Sequence, residues 1–85
     1  MYFKLKEKVD VVSIYKAGMG NVLYKIRWRN REYKIIKLGY HHKIKVGSII
    51  HHIFSVASAN LAFRLDFDTE VLSWTLEEVS DGLGN

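Results

Sequence analysis

Apolar and polar side chains alternate with period two between Leu61 and Glu77, with one polar interruption at 68–71. Such alternation sends successive side chains to opposite faces of a β-strand. The apolar members are Leu61, Phe63, Leu65 and Phe67, followed by Leu72, Trp74 and Leu76. A four-residue loop at 68–71 pairs these residues on one face, with Phe67 opposite Leu72 and Leu65 opposite Trp74. The pattern predicts an antiparallel hairpin with one apolar face.

A third strand precedes this hairpin. With a loop at 57–60, segment 49–56 pairs Val56 with Leu61 and Phe54 with Phe63, which gives a meander of strands at 49–56, 61–67 and 72–79. The same segment also fits helical spacing, with Ser48 as a cap, so a short helix at 48–58 is the alternative. We favour the strand, because the segment is rich in β-branched residues and poor in strong helix formers.

The N-terminal half predicts a further hairpin. A strand over 5–15 is followed by a glycine-containing loop at 17–21 and by a strand over 22–29. Alternation places Val22, Tyr24, Ile26 and Trp28 on one face, and Leu23, Lys25, Arg27 and Arg29 on the other. A turn at Asn30 and Arg31 then sets Trp28 opposite Tyr33. Because Arg31 tolerates a positive φ poorly, a longer loop with a bulge, which would change this register by one residue, is the alternative.

Together these segments predict one all-β domain over 1–85, a small antiparallel barrel or sandwich of about six strands. The chain has no cysteine, so disulfides and thiolate metal sites are excluded. No stretch approaches the roughly 18 apolar residues of a membrane span, and the N-terminus has no apolar signal segment. We therefore expect a cytoplasmic protein without a membrane partner.

Charge divides the chain into two unlike halves. Residues 1–45 hold twelve Lys and Arg against three acids, whereas residues 46–85 hold one Arg against six acids. The basic half includes a hairpin whose cations suit a phosphate backbone. We predict nucleic-acid contact through Lys25, Arg27, Arg29, Arg31 and Lys34. The nearby aromatics Tyr24, Trp28 and Tyr33 are expected on the opposite, core-facing side.

The same charge division supports a second hypothesis of another class. A basic face docking on an acidic face of a second copy, or the pairing of sheet edges, would make this a protein-interaction domain or a homodimer.

Four histidines lie in two adjacent pairs, His41-His42 and His51-His52. Neighbours on a strand point to opposite faces, so a metal ion would need one histidine from each pair. The simpler interpretation is a core-facing His52 and a surface contact between His51 and Asp66. We assign no metal ligand, no cofactor and no catalytic residue, because no signature spacing, nucleophile elbow or phosphate loop occurs, and we expect a binding module rather than an enzyme.

Two segments carry a resemblance. Trp28-Arg29-Asn30-Arg31-Glu32-Tyr33 and the run from Phe63 to Trp74 resemble the W-R-x-R-x-Y and F-x-L-x-F-D-x-x-x-L-x-W hairpins of a family of small bacterial β-rich domains of unknown function. The resemblance implies a β fold and assigns no site residue.

Overall fold

Two antiparallel sheets form a sandwich-like arrangement in the computed structural model, which describes residues 2–81. Its eight strands are β1 Tyr2–Lys8, β2 Asp10–Lys16, β3 Gly20–Trp28, β4 Arg31–Lys34, β5 Lys37–Val46, β6 Ile49–Ala57, β7 Ala62–Asp68 and β8 Ser73–Ser80. The all-β prediction is confirmed, with eight strands rather than six and without a closed barrel. Strand β6 covers 49–57 of the segment 48–58, so the helical alternative is wrong. The described residues include no helix that is long and apolar enough to cross a membrane.

The chain changes sheet at Val9. The larger sheet has the order β1-β8-β7-β6-β5 and the smaller one β2-β3-β4. The single strand predicted over 5–15 is therefore two strands, which end and begin on either side of Val9, whose N–H donates to the Trp74 carbonyl at 3.2 Å. Leu5, Val9 and Val11 all pack against the core. The break between the strands lets all three side chains reach the core, because a straight strand of that length would extend beyond a core this small.

Both sheets contribute to one core. Leu23 and Ile26 come from β3, and the larger sheet adds Phe54, Val56, Phe63, Leu65, Leu76 and Val79. Each such side chain stabilises the fold by about 1.5–3 kcal/mol when fully buried. We call the core-facing side of each sheet its inner face and the other side its outer face.

The strand registers differ from the predicted ones by two residues. Phe54 pairs with Leu65 rather than Phe63, and Trp74 pairs with Phe67 rather than Leu65. In the N-terminal hairpin, Trp28 pairs with Arg31 rather than Tyr33. A shift of two residues keeps the predicted faces, because the strand period is two. The β7–β8 pairing is also irregular between Arg64 and Leu65, so Val79 is buried in the core opposite Phe63, and Leu72, predicted on the inner face, is exposed in the turn. The loops are placed one residue later or earlier than expected: β7 ends after Asp68, and the β3–β4 turn is Arg29-Asn30.

A bulge in β3 overturns part of one predicted face. The pairing of β2 with β3 shifts between Val12 and Ser13, which leaves Tyr24 as the extra residue. An extra residue reverses the alternation beyond it. Leu23, predicted on the outer face, is therefore buried in the core, and Tyr24, predicted with the core, is outside the core cluster.

Candidate nucleic-acid interface

The structure brings three of the five predicted cations onto one surface. Lys25 pairs with Lys34 across β3 and β4, and Arg27 lies two residues further along β3. Directly paired residues share a face of the sheet. Ile26, which lies between Lys25 and Arg27 in the strand, is fully buried on the inner side. Lys25, Arg27 and Lys34 therefore lie on the outer face of the three-stranded sheet, which we call the basic face.

Arg29 and Arg31 lie elsewhere in the hairpin. Arg29 occupies the turn and contacts Glu7 of β1, with Nη2 at 2.7 Å from Oε2 and Nε at 3.3 Å from Oε1. The Trp28 indole N–H donates to the same Glu7 carboxylate at 2.9 Å. These hydrogen bonds, that from Arg29 first, lower the pKa of Glu7. Arg31 pairs with Trp28 at the exposed end of β4, on the side of Trp28 rather than that of Arg27.

Two further residues, Lys16 and Tyr24, belong to the basic face and were not predicted there. Lys16, at the end of β2, places its ammonium 5.5 Å from the centre of the Tyr24 ring. That contact puts the Tyr24 ring on the cationic side of the sheet, where alternation alone did not place it. Val12 and Ile14 of β2 are exposed on the same face. The outward position of the Tyr24 side chain follows from the bulge, and the sequence pattern of β3 does not predict a bulge.

Two acids interrupt the basic face. Arg27 pairs with Asp10 on one side and with Glu32 on the other. The Glu32 carboxylate also lies 3.6 Å from the ammonium of Lys25, and both side chains are more than half exposed. Exposed ion pairs of this kind contribute little, about 0–1 kcal/mol. The cations are thus available to an anion that competes with Glu32.

The outer face of the five-stranded sheet has the opposite character. Asp66, Asp68 and Glu78 lie there on β7 and β8, and Arg64 contacts Glu77 at 3.5 Å. Burial raises the pKa of Glu77, and the adjacent Asp66 carboxylate adds to that rise. The acids of the C-terminal half thus lie in the larger sheet, whereas the cations of the N-terminal half are divided between the sheets, because β1 and β5 also belong to the larger one.

The histidines follow the predicted alternation. His51 Nδ1 lies 2.7 Å from Asp66 Oδ1 on the outer face, as the predicted contact requires, although its direct register partner is Asp68. His52 faces inward, opposite Phe67 rather than Leu65. Its Nδ1 lies 2.9 Å from His41 Nε2, so one histidine of each pair does meet the other. Among residues 2–81, no group of three or more His, Cys, Asp or Glu is arranged to hold a metal ion.

Comparisons with protein-family models, with curated proteins and with solved structures give no match.

Proposed function

We propose that the protein binds nucleic acid, with a preference for single strands, through the basic face. The observation that carries the proposal is the Tyr24 ring beside Lys16, on the same face as Lys25, Arg27 and Lys34. Single-strand binding combines cations that follow the backbone with aromatic rings on which bases stack. An aromatic ring among lysines and an arginine supplies both parts on one sheet.

Glu32 gives the proposal a sharp test. This carboxylate competes with phosphate for Lys25 and opposes Arg27 in the register. If phosphate occupies that place, Glu32→Gln should strengthen binding, whereas Arg27→Gln should weaken it. Tyr24→Leu should cost part of the roughly 1–3 kcal/mol that a stacked base contributes.

The experiment is fluorescence anisotropy with a labelled twelve-nucleotide single strand and its duplex, at 50 and 150 mM salt. Arg27→Gln should reduce the slope of log affinity against log salt by about 0.7 for the single strand, as expected for one lost phosphate contact. Lys4→Gln is the matched control, because Lys4 lies opposite Glu78 in the other sheet. Salt-insensitive binding, or an equal loss in Lys4→Gln and Arg27→Gln, would overturn the proposal.

A second candidate, self-association, is favoured by β5. This ten-residue strand is an edge of the larger sheet, and its Leu38, Tyr40, Ile44 and Val46 are exposed. Edge strands with apolar side chains pair readily with another chain. Lys37, Lys43 and Lys45 on the same strand oppose such pairing at low salt, so sedimentation at rising salt and protein concentration tests it.

A further inference from the structure

A cleft opens between the two sheets beside the β2–β3 turn. Its volume is about 400 Å³, at the lower end of the roughly 300–1,000 Å³ typical of small-molecule sites. The larger sheet supplies His41, His52, Phe54, Phe67 and Trp74 to its wall, and Asn21 lies on the side of the smaller sheet. We call this space the histidine cleft.

The wall formed by the larger sheet consists of aromatic rings and one aliphatic side chain, Leu38. His41 stacks on Phe54, with ring centres 4.4 Å apart and planes 12° apart. Trp74 contacts both Phe54 and Phe67, at centre distances of 5.4 and 4.6 Å. Rings that already pack with one another present a stiff apolar surface, and a flat ligand loses little entropy in stacking on such a surface.

Polar groups of the cleft are free for a ligand. The hydrogen bond between His41 Nε2 and His52 Nδ1 uses one nitrogen of each ring. When both rings are neutral, the two remaining nitrogens are one donor and one acceptor in either tautomer.

A cation stands beside these groups. Lys43 pairs directly with His52, so it projects from the same face of the sheet. Burial, followed by the positive charges of His41 and Lys43, lowers the pKa of His52. The neutral imidazole is therefore favoured next to an ammonium, and the ammonium stays exposed for an anion.

We propose that the histidine cleft binds a nucleotide unit, with its planar base against the Trp74 and Phe54 wall and its phosphate at Lys43. An aromatic wall, a donor and an acceptor at its edge, and an adjacent cation match a base that carries a phosphate. The same unit occurs as a free mononucleotide and as one residue of a strand. The inference depends on the cleft and not on the basic face, so the two proposals can fail separately.

The experiment is titration of the full chain, followed by NMR, with AMP, with adenosine and with a tetranucleotide. Saturable shifts of the Trp74 indole and His41 and His52 imidazole signals are expected with AMP or with the tetranucleotide. Saturation by AMP identifies a free nucleotide as sufficient, and saturation by the tetranucleotide alone identifies the strand. Arg27→Gln should leave the AMP shifts unchanged, which separates this site from the basic face.

Lys43→Gln should weaken the binding of the phosphate-bearing ligand about three- to fivefold and leave adenosine unaffected, as for one exposed ion pair. Neither lysine lines the cleft itself, but Lys43 pairs with His52 of its wall, whereas Lys37 pairs with Ala57. Lys37→Gln is therefore the matched control on the same strand. His41→Gln, an exposed position, tests the imidazole wall without a cavity in the core. The proposal is overturned if none of the cleft signals saturates, or if Lys43→Gln and Lys37→Gln behave alike.

Discussion

His52 shows how one side chain combines several surroundings. Its ring is half-buried, forms a hydrogen bond with the His41 ring and lies beside Lys43. Burial and both positive neighbours act in the same direction and lower the pKa of His52 from its ordinary value of 6.5. As the pH falls below 6.5, His52 is protonated in the unfolded chain before it is protonated in the folded one. The free energy of unfolding therefore decreases until the pH has passed the folded pKa of His52.

We predict that Lys43→Gln moves the pKa of His52 upward, because one of the two repelling charges is removed. The measurement is the pH dependence of the His52 imidazole NMR signals in the wild type and the variant. Lys37→Gln provides the control, since it removes the same charge from the other end of β5. An unchanged His52 titration in Lys43→Gln would contradict the assigned cause.

At the scale of the strands, sequence analysis predicts the face of a residue better than its partner. In the β6–β7 hairpin, Phe54, Phe63 and Leu65 lie on their expected face although the register differs by two. In the β7–β8 hairpin, Trp74 and Leu76 also lie on theirs, whereas Leu72 is exposed in the turn and a bulge brings Val79 into the core. Burial distinguishes odd from even shifts, whereas the exact shift depends on the turn. The turn at Gly47 and Ser48 sets the register of β5 against β6 and so brings His41 within reach of His52. From the sequence, Ser48 also fits a helix cap. The turn, and with it strand β5, was therefore not predicted.

The β7–β8 turn contains a local conflict between residue and backbone. Leu72 has φ 59° and is 69% exposed, so a left-handed conformation is imposed on a side chain that buries little surface. Asp68 holds the turn by accepting hydrogen bonds from the N–H groups of Glu70 and Val71. An L-residue loses about 1–2 kcal/mol in this conformation, which glycine avoids.

We therefore predict that Leu72→Gly stabilises the protein by about 1 kcal/mol, measured by urea denaturation. Val71→Gly is the matched control, because Val71 is similarly exposed and has no positive φ. That control should lose about 0.5–1 kcal/mol through the greater freedom of the unfolded chain. Equal destabilisation by the two substitutions would show that the conformation of Leu72 is not strained.

At the scale of the whole molecule, the charge division of the sequence is retained only in part, because β1 and β5 bring lysines of the basic half into the larger sheet. Lys25, Arg27 and Lys34 share the basic face as alternation predicts. Tyr24 joins them because of a bulge, and Arg29 leaves them because the turn directs it to Glu7. Both differences arise from contacts between strands, which a period-two pattern within one strand does not contain.

Glu7 connects the two sheets, since it belongs to β1 of the larger sheet and binds Trp28 and Arg29 of the smaller one. We predict that Glu7→Gln lowers the midpoint of thermal unfolding at pH 7, because the charge-assisted contact with Arg29 is lost. The folded pKa of Glu7 is lowered, so its stabilisation is present above the unfolded value of about 4.3 and is lost as the pH falls through the folded pKa. Circular dichroism melts at pH 7, 5 and 3 should show that the difference in midpoint between wild type and variant is smallest at the lowest pH.

The control is Glu32→Gln, which removes an ion pair within a single sheet and should change the midpoint less at every pH. A difference between wild type and Glu7→Gln that is as large at pH 3 as at pH 7 would refute the charged contact between the sheets.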